Sequence, residues 1–275
     1  MITYSKIGHF GRLGNQLFQF ASTIGIARKA ELEVVFPIEN VTNSVVEHFK
    51  DGKVLNITFD IPKVFNLNKN IIVPKSELNI KYTINEPHFH FDSTLFEKIS
   101  DNTDLTGYYQ SEKYFKHIQN ELYDLLTFKD DIKEKAINIF PKVAGNTVSI
   151  HIRRGDYVYL QQFHPLCTND YYIKAANIFE NINPYFIIFS DDITYCKELF
   201  GNSENILYID NVDPYVDLCL MSMCDHNIIA NSSFSWWGAW LNKNKNKKVV
   251  APKQWFGPAY SHDTKDLYCK NWIVL

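Results

Sequence analysis

The sequence predicts an α/β protein in which a parallel sheet is covered by helices on both faces. From residue 147 onward, short apolar runs alternate in regular order with segments of helical spacing, the pattern of a parallel sheet with crossover helices. The chain also opens on an extended run, a glycine-punctuated turn and a helix-spaced segment. Its 275 residues, 45% hydrophobic and 21% charged, have ordinary globular composition, which excludes a disordered or low-complexity chain. At roughly 100–200 residues per domain this length makes one large domain or two modest ones.

The elements follow in order. Ile2 to Ile7 reads as a strand, and Gly8, Gly11 and Gly14 as a turn. Asn15 to Lys29 reads as a helix, with Leu17, Phe20, Ala21, Ile24 and Ala27 at helical spacing. Glu33–Pro37 reads as a second strand. Residues 38–105 carry many Asn residues, Pro62, Pro74 and Pro87, and read as loops and short elements. Glu112 to Phe128 is expected to be one helix, with Tyr114, Phe115, Ile118, Leu122 and Leu125 on one stripe. Asp130 to Phe140 is expected to be another, and 142–146 a connector. Strands are then expected at 147–152, 185–189, 206–209, 227–230 and 248–251. The intervening helices are expected at 169–181, 193–199, 214–223 and 235–242.

Charge and cysteine usage narrow the class. Lys and Arg sum to 28 against 31 Asp and Glu, a net charge of −3. That balance argues against nucleic-acid binding by general charge, which needs many Lys and Arg on phosphates. The five cysteines show no metal-ligand spacing, and read as reduced thiols of a cytoplasmic protein. The N-terminus lacks the apolar run of a signal peptide, and no apolar stretch approaches the roughly 20 residues that span a bilayer.

Parallel sheets bind ligands where loops leave the carboxyl ends of the strands, so those positions are the candidate site. After the first strand of the alternating series comes His151-Ile-Arg-Arg-Gly-Asp-Tyr157. Alternation puts His151 and Arg153 on one face and Arg154 on the other. Two adjacent arginines suit a dianion such as a diphosphate, held by planar guanidinium forks. A plain salt bridge from either to Asp156 is the rival reading. After the strand at 227–230 comes Asn231-Ser-Ser-Phe-Ser-Trp-Trp-Gly-Ala-Trp-Leu241. Ser232, Ser233 and Ser235 can cap a helix start, which is also a ready anion site. Ser190-Asp-Asp192 reads as a helix cap. No two aspartates stand two positions apart, so the chain lacks the Asp-x-Asp element that holds a divalent ion on a sugar nucleotide. Neutralisation by Arg and helix N-termini is expected instead.

Taken together, His151-x-Arg-Arg-Gly-Asp-Tyr157, Gly11-Arg-Leu-Gly-Asn-Gln-Leu-Phe-Gln-Phe-Ala21 and the 231–241 segment resemble the bacterial α-1,2-fucosyltransferases. That family is similar to the wider α-1,2/α-1,6/protein O-fucosyltransferase superfamily. The resemblance implies a GT-B-type α/β fold of two Rossmann-like domains facing a cleft. With the connector, the domains are expected at 1–141, on the acceptor side, and 142–275, binding GDP-β-L-fucose. It implies inverting transfer with no metal and no cofactor, GDP-fucose being a co-substrate. Arg153 is then expected on the β-phosphate, with Arg154 in support, and His151 beside the guanine. Asp217 is expected to pair with guanine N1–H and N2–H, and Ser233 to contact phosphate, with Ser232 and Phe234 beside it. Asp191 falls in the second superfamily motif, and Asn15 near the sugar diphosphate.

The acceptor is expected to be a galactose-terminated oligosaccharide. No acid stands in the stretch beyond the arginine pair where the α-1,6 branch has one; Asp156, the nearest carboxylate, is the candidate base, His164 is the nearest imidazole in that stretch, and a loose transition state with no dedicated base is the alternative. A transferase of other linkage, or a non-catalytic sugar- or nucleotide-binding module, are the rivals. Lys243-Asn-Lys-Asn-Lys-Lys248 reads as a solvated loop or as a weak peripheral contact with anionic membrane.

Overall fold

The computed structural model describes residues 1–38, 45–48, 54–67 and 69–275. The chain forms two compact units.

The first unit comprises residues 1–129 and 262–269. Its elements are β1 (Ile2–Thr3), α1 (Leu13–Lys29), β2 (Phe36–Ile38), β3 (Val45–His48), β4 (Val54–Ile57), α2 (Ile61–Val64), β5 (Ile72–Pro74), β6 (Tyr82–Asn85), α3 (Leu95–Lys98), β7 (Thr103–Thr106) and α4 (Gln119–Leu125). A parallel sheet of order β1-β7-β6 organises it. Helix α1 is buried nearly all round, and Gln16, Gln19, Ser22 and Thr23 go inside with its apolar residues. These polar groups find partners: Gln16 Nε2 donates to the Thr58 carbonyl at 2.9 Å, and Ser22 Oγ to that of Tyr109 at 3.0 Å.

The first strand is shorter than expected, and β6 and most of β7 are among the short elements expected within residues 38–105. Each is four residues long, and β6 is an exposed edge with Tyr82 57% accessible, so neither shows a clean apolar alternation. The single helix expected over 112–128 breaks into 3-10 turns at Glu112–Tyr114 and Lys116–Ile118 before α4. Tyr114 and Phe115, adjacent in sequence, are both fully buried. A regular helix turns successive side chains 100° apart, so burying both overrides helical periodicity.

The second unit comprises residues 130–261 and 270–275. Its elements are α5 (Asp130–Ile139), β8 (Thr147–Ile152), α6 (Asn169–Asn177), β9 (Tyr185–Ser190), α7 (Ile193–Phe200), β10 (Ile206–Ile209), α8 (Pro214–Met223), β11 (His226–Ile228), α9 (Ser233–Leu241), β12 (Val249–Ala251) and β13 (Ile273–Val274). One six-stranded parallel sheet runs β10-β9-β8-β11-β12-β13. Val148, Ile150 and Ile152 of β8 pack against Tyr171, Tyr172 and Ala175 of α6 and Cys196 of α7. On the opposite face Asn227 donates to Ser149 Oγ at 2.7 Å and to the Met221 carbonyl of α8 at 2.8 Å.

The boundary falls at 129/130 rather than 141/142. Helix α5 buries Ile132 and Ala136 and packs on α8, so it belongs to the second unit. Residues 262–269 return to the first, where Asp266 takes Lys113 Nζ at 2.5 Å and the Phe91 amide at 3.2 Å. All five cysteines are free thiols. Among the described residues no helix is long and apolar enough to cross a membrane.

Candidate functional site

The chain runs from β8 through β9 to β10 on one side of the sheet, then crosses back to place β11 on the other side of β8. The switch point therefore lies between β8 and β11, where an open parallel sheet forms its ligand crevice. The two motifs singled out from the sequence flank it: the 151–157 loop leaves β8, and the 231–235 turn leaves β11. Across it the His151 and Phe234 rings lie 5.8 Å apart.

At the end of β8, Arg153 is bound to two carboxylates, those of Asp156 and Asp191. Burial works against its charge, and the two acids outweigh that and raise its pKa. Arg154 goes elsewhere. Its Nε donates to Asp192 at 2.8 Å, and its guanidinium lies 3.7 Å over the Tyr195 ring. Of the two salt bridges to Asp156 that the sequence allows, the structure forms the one from Arg153, because the short turn at Gly155–Val158 brings Asp156 back under the first guanidinium. Asp191 also accepts the Arg154 amide at 2.8 Å. A methyl on Gly155 would lie 2.5 Å from Asp191 Oδ2, so a side chain there would displace the carboxylate that holds Arg153. Asp192 caps α7, accepting from the Tyr195 amide at 3.1 Å. Two guanidinium groups thus face three carboxylates, so an incoming anion exchanges with acids rather than meeting bare positive charge.

His151 is buried, and its Nδ1 has no hydrogen-bond partner. Burial, then the charge of Arg153, push its pKa down to about 3, so the imidazole is neutral. Ser232 is the N-cap of α9 but makes no side-chain cap bond, which corrects the capping role expected of it. The first-turn amides of α9 thus keep the anion-facing character of a helix start. Ser233 and Phe234 open the helix beside it, half-exposed. Asn231, by contrast, is structural: its buried amide donates to the carbonyls of Pro165 and Trp255.

Asp217 sits in the first turn of α8. Its Oδ1 is buried with no hydrogen-bond partner. Burial first, and Asp213 second, push its pKa up to about 7. An orphaned carboxylate oxygen at the carboxyl end of a parallel sheet is an acceptor for ligand N–H groups. His164, beyond the arginine loop in sequence, stacks on Tyr157 with centroids 4.8 Å apart and packs among Phe256 and Tyr260.

In the first unit, Asn15 lies in the first turn of α1, half-buried. Its Oδ1 accepts from Gln110 Nε2 at 2.9 Å. Glu86 accepts the amides of Tyr108 and Tyr109 at 2.7 and 2.9 Å, and burial pushes its pKa up to about 7 against those two bonds. Gln110, Glu86 and Tyr195 are residues that sequence reasoning missed. Each acts across 22 to 95 positions or through a ring contact, and neither leaves a local pattern. Among the described residues no group of three or more His, Cys, Asp or Glu is placed to hold a metal ion.

Two α/β units built on parallel sheets, one with an anion-suited switch point, are the architecture of the GT-B glycosyltransferases. The structure of NodZ α-1,6-fucosyltransferase soaked with GDP-fucose matches 87% of this chain and 91% of its own, with a TM-score of 0.54 at 12% identity. The chain belongs to Glycosyl transferase family 11, whose profile matches residues 2–275. An alpha-1,2-colitosyltransferase of Escherichia coli is 33% identical over 90% of each chain. The O-antigen biosynthesis glycosyltransferase WbnK of Escherichia coli is 28% identical over 96% of this chain and 98% of its own.

Proposed function

We propose that the protein transfers L-fucose from GDP-β-L-fucose to O2 of a terminal β-galactoside, with inversion and without a metal, during surface-polysaccharide assembly. The observation that carries the reading is that Arg153, just past the end of β8, and the start of α9, after β11, flank the β8–β11 switch point. As the bond to fucose breaks, negative charge grows on the β-phosphate. A guanidinium fork and oriented amides stabilise that charge without a cation. To reach the phosphate, Arg153 exchanges one of its two carboxylates for it, and the other then serves as its aligning partner. This favours a positioning role for Asp156 over that of a base. Asp217 Oδ1 takes the guanine N–H groups, and neutral His151 with Phe234 borders the base.

The test is incubation with GDP-fucose and a panel of β-galactosides, followed by linkage analysis of the product. A new α-1,2 linkage on galactose supports the reading; intact donor with every acceptor removes it. The similarity to a colitosyltransferase favours one second reading, in which the donor is GDP-colitose. The two sugars differ only in the hydroxyl at C3, so direct competition between the donors separates them.

The lysine-rich loop supports membrane contact only in part. Lys247 Nζ donates to the carbonyls of Ala239 and Asn242 at 2.7 and 2.6 Å, and thereby caps the end of α9. Lys243, Lys245 and Lys248 are exposed on this loop, and each basic residue at an anionic lipid surface contributes about 1 kcal/mol. Salt-sensitive binding to anionic vesicles, lost when these three become Gln, is the expected result; no binding at low salt removes the contact.

A further inference from the structure

The loop that carries the arginine pair continues into a cluster of rings that lies wholly within the second unit. The Arg153 guanidinium lies 5.3 Å from the Tyr157 ring centroid, and Tyr157 in turn stacks on His164 at 4.8 Å. His164 also meets Phe256 and Tyr260, with centroids 5.9 and 5.7 Å away, and Tyr260 meets Phe163 at 5.2 Å. The main chain fixes these rings. The Gly257 amide donates to the Phe163 carbonyl at 2.9 Å, and the Ala259 amide to that of Gln162 at 2.8 Å. A methyl on Gly257 would lie 2.3 Å from the Gln162 carbonyl oxygen, so the two segments meet backbone to backbone.

Two features of this cluster go beyond packing. Phe163 and Tyr260 are 41% and 38% exposed although their neighbours hold them in place, and a fixed, half-open aromatic surface suits the apolar face of a sugar ring. His164 is half-buried, and among the described residues its ring nitrogens form no hydrogen bond or ion pair. Burial lowers its pKa; Asp156 opposes that and Arg153 adds to it, so the imidazole is neutral at pH 7. A neutral imidazole can take a proton, and the Asp156 carboxylate favours the cation that results.

The spacing also fits. Imidazole and guanidinium are separated by no more than the sum of their two distances to the Tyr157 ring. A phosphate on Arg153, the sugar carbon bonded to it, the attacking hydroxyl and a base about 3 Å beyond that hydroxyl span a distance of that order.

We propose that this cluster is the acceptor subsite, in which Phe163 and Tyr260 cover one face of the galactoside and His164 is the catalytic base that takes the proton of its reacting hydroxyl. The inference rests on the transfer reaction and on the phosphate role given to Arg153 above. An electron pair of the acceptor oxygen forms the new bond to C1 of the donor sugar. The C1–O bond to the β-phosphate breaks, and its electrons leave on GDP. The hydroxyl proton passes to His164, which returns it to solvent.

The test is steady-state transfer at saturating GDP-fucose, with GDP affinity and thermal midpoints recorded for every variant. His164→Gln and His164→Phe, the second of which keeps the ring packing, are expected to lower kcat about 100-fold or more, the range for a lost general base, with GDP affinity within about twofold of the unaltered protein. The unaltered protein should lose kcat as pH falls through the lowered imidazole pKa, and both variants should lack that limb. Phe163→Ala should raise KM for the acceptor about fivefold and leave kcat and GDP affinity nearly unchanged. Near-normal kcat in His164→Phe, or an acid limb that persists in both His164 variants, overturns the assignment of the base. A kcat loss accompanied in both variants by weakened GDP binding or a collapsed midpoint assigns His164 to packing and overturns it equally. An unchanged acceptor KM in Phe163→Ala removes the subsite. In all these cases transfer by the unaltered protein leaves the functional reading standing; an unaltered protein that transfers no sugar from either GDP-fucose or GDP-colitose removes both.

Discussion

Nε of Arg154 donates to Oδ2 of Asp192 at 2.8 Å, which ties the second arginine of the pair to the cap of α7. The two arginines are therefore not equivalent. Arg153 follows the carboxyl end of β8, held by Asp156 and Asp191 beside the switch point. Lysine at 153 keeps the charge but loses the planar fork. Arg153→Lys is expected to lower turnover about 10- to 100-fold, the range for a lost charge-assisted hydrogen bond, with a smaller effect on GDP affinity. Arg154→Lys should retain more activity. Steady-state kinetics on both folded variants decides it, and the reverse order would mean that Arg154 is the phosphate ligand.

Asp217 provides a pH signature. Its carboxyl pKa lies near 7 in the unliganded protein, raised from 3.8 by burial and by Asp213. Guanine N–H donors require the ionised form, so protons compete with GDP below that value. The Asp217-dependent part of GDP affinity is expected to fall as pH drops below 7, by up to about tenfold per unit. Asp217→Asn should bind GDP roughly 5- to 150-fold more weakly at pH 8 and lack this component. Comparing the two proteins across pH cancels the titration of GDP itself. The sign for stability is opposite: a raised carboxyl pKa contributes stability below about 4 that is lost as pH rises through 7. Equal GDP affinities for both proteins at pH 8 would remove Asp217 from the site.

Metal independence is expected from arginine and helix-amide neutralisation at the β8–β11 crevice. Transfer should persist in excess EDTA. Loss of most turnover, restored by Mn²⁺ or Mg²⁺, would require a cation in the mechanism.

Gly25 tests the packing of the first unit. In an exposed helix Gly→Ala gains up to about 1 kcal/mol. Here a methyl would lie 2.2 Å from the Tyr114 carbonyl oxygen and 2.7 Å from Phe115 Cα. Such overpacking costs about 1–3 kcal/mol, so the clash outweighs the propensity gain. Gly25→Ala is expected to lower the thermal midpoint; a higher midpoint would show that the 3-10 turns yield easily.

The sequence by itself determined the order of alternating strands and helices in the second unit from β8 to β12, with ends that shift by up to about four residues. Strands 147–152 and 206–209 and helix 214–223 stand where the pattern put them, because each strand is a short apolar run between caps and turns. It also determined where to look, since loops at the carboxyl ends of parallel strands need no tertiary knowledge to locate. The tertiary structure alone decided which charge meets which. The partners of Arg153 and Arg154 lie 3 and 38 positions away, and only the sheet register that sets β9 beside β8 brings Asp191 and Asp192 to them. It alone decided the architecture of residues 82–106, where two four-residue strands are defined by hydrogen bonds to β1 and to each other. It also assigned α5 to the second unit and residues 262–269 to the first, because a helix joins whichever surface buries its apolar face. Local pattern records what one segment prefers; which segments meet is a property of the folded chain.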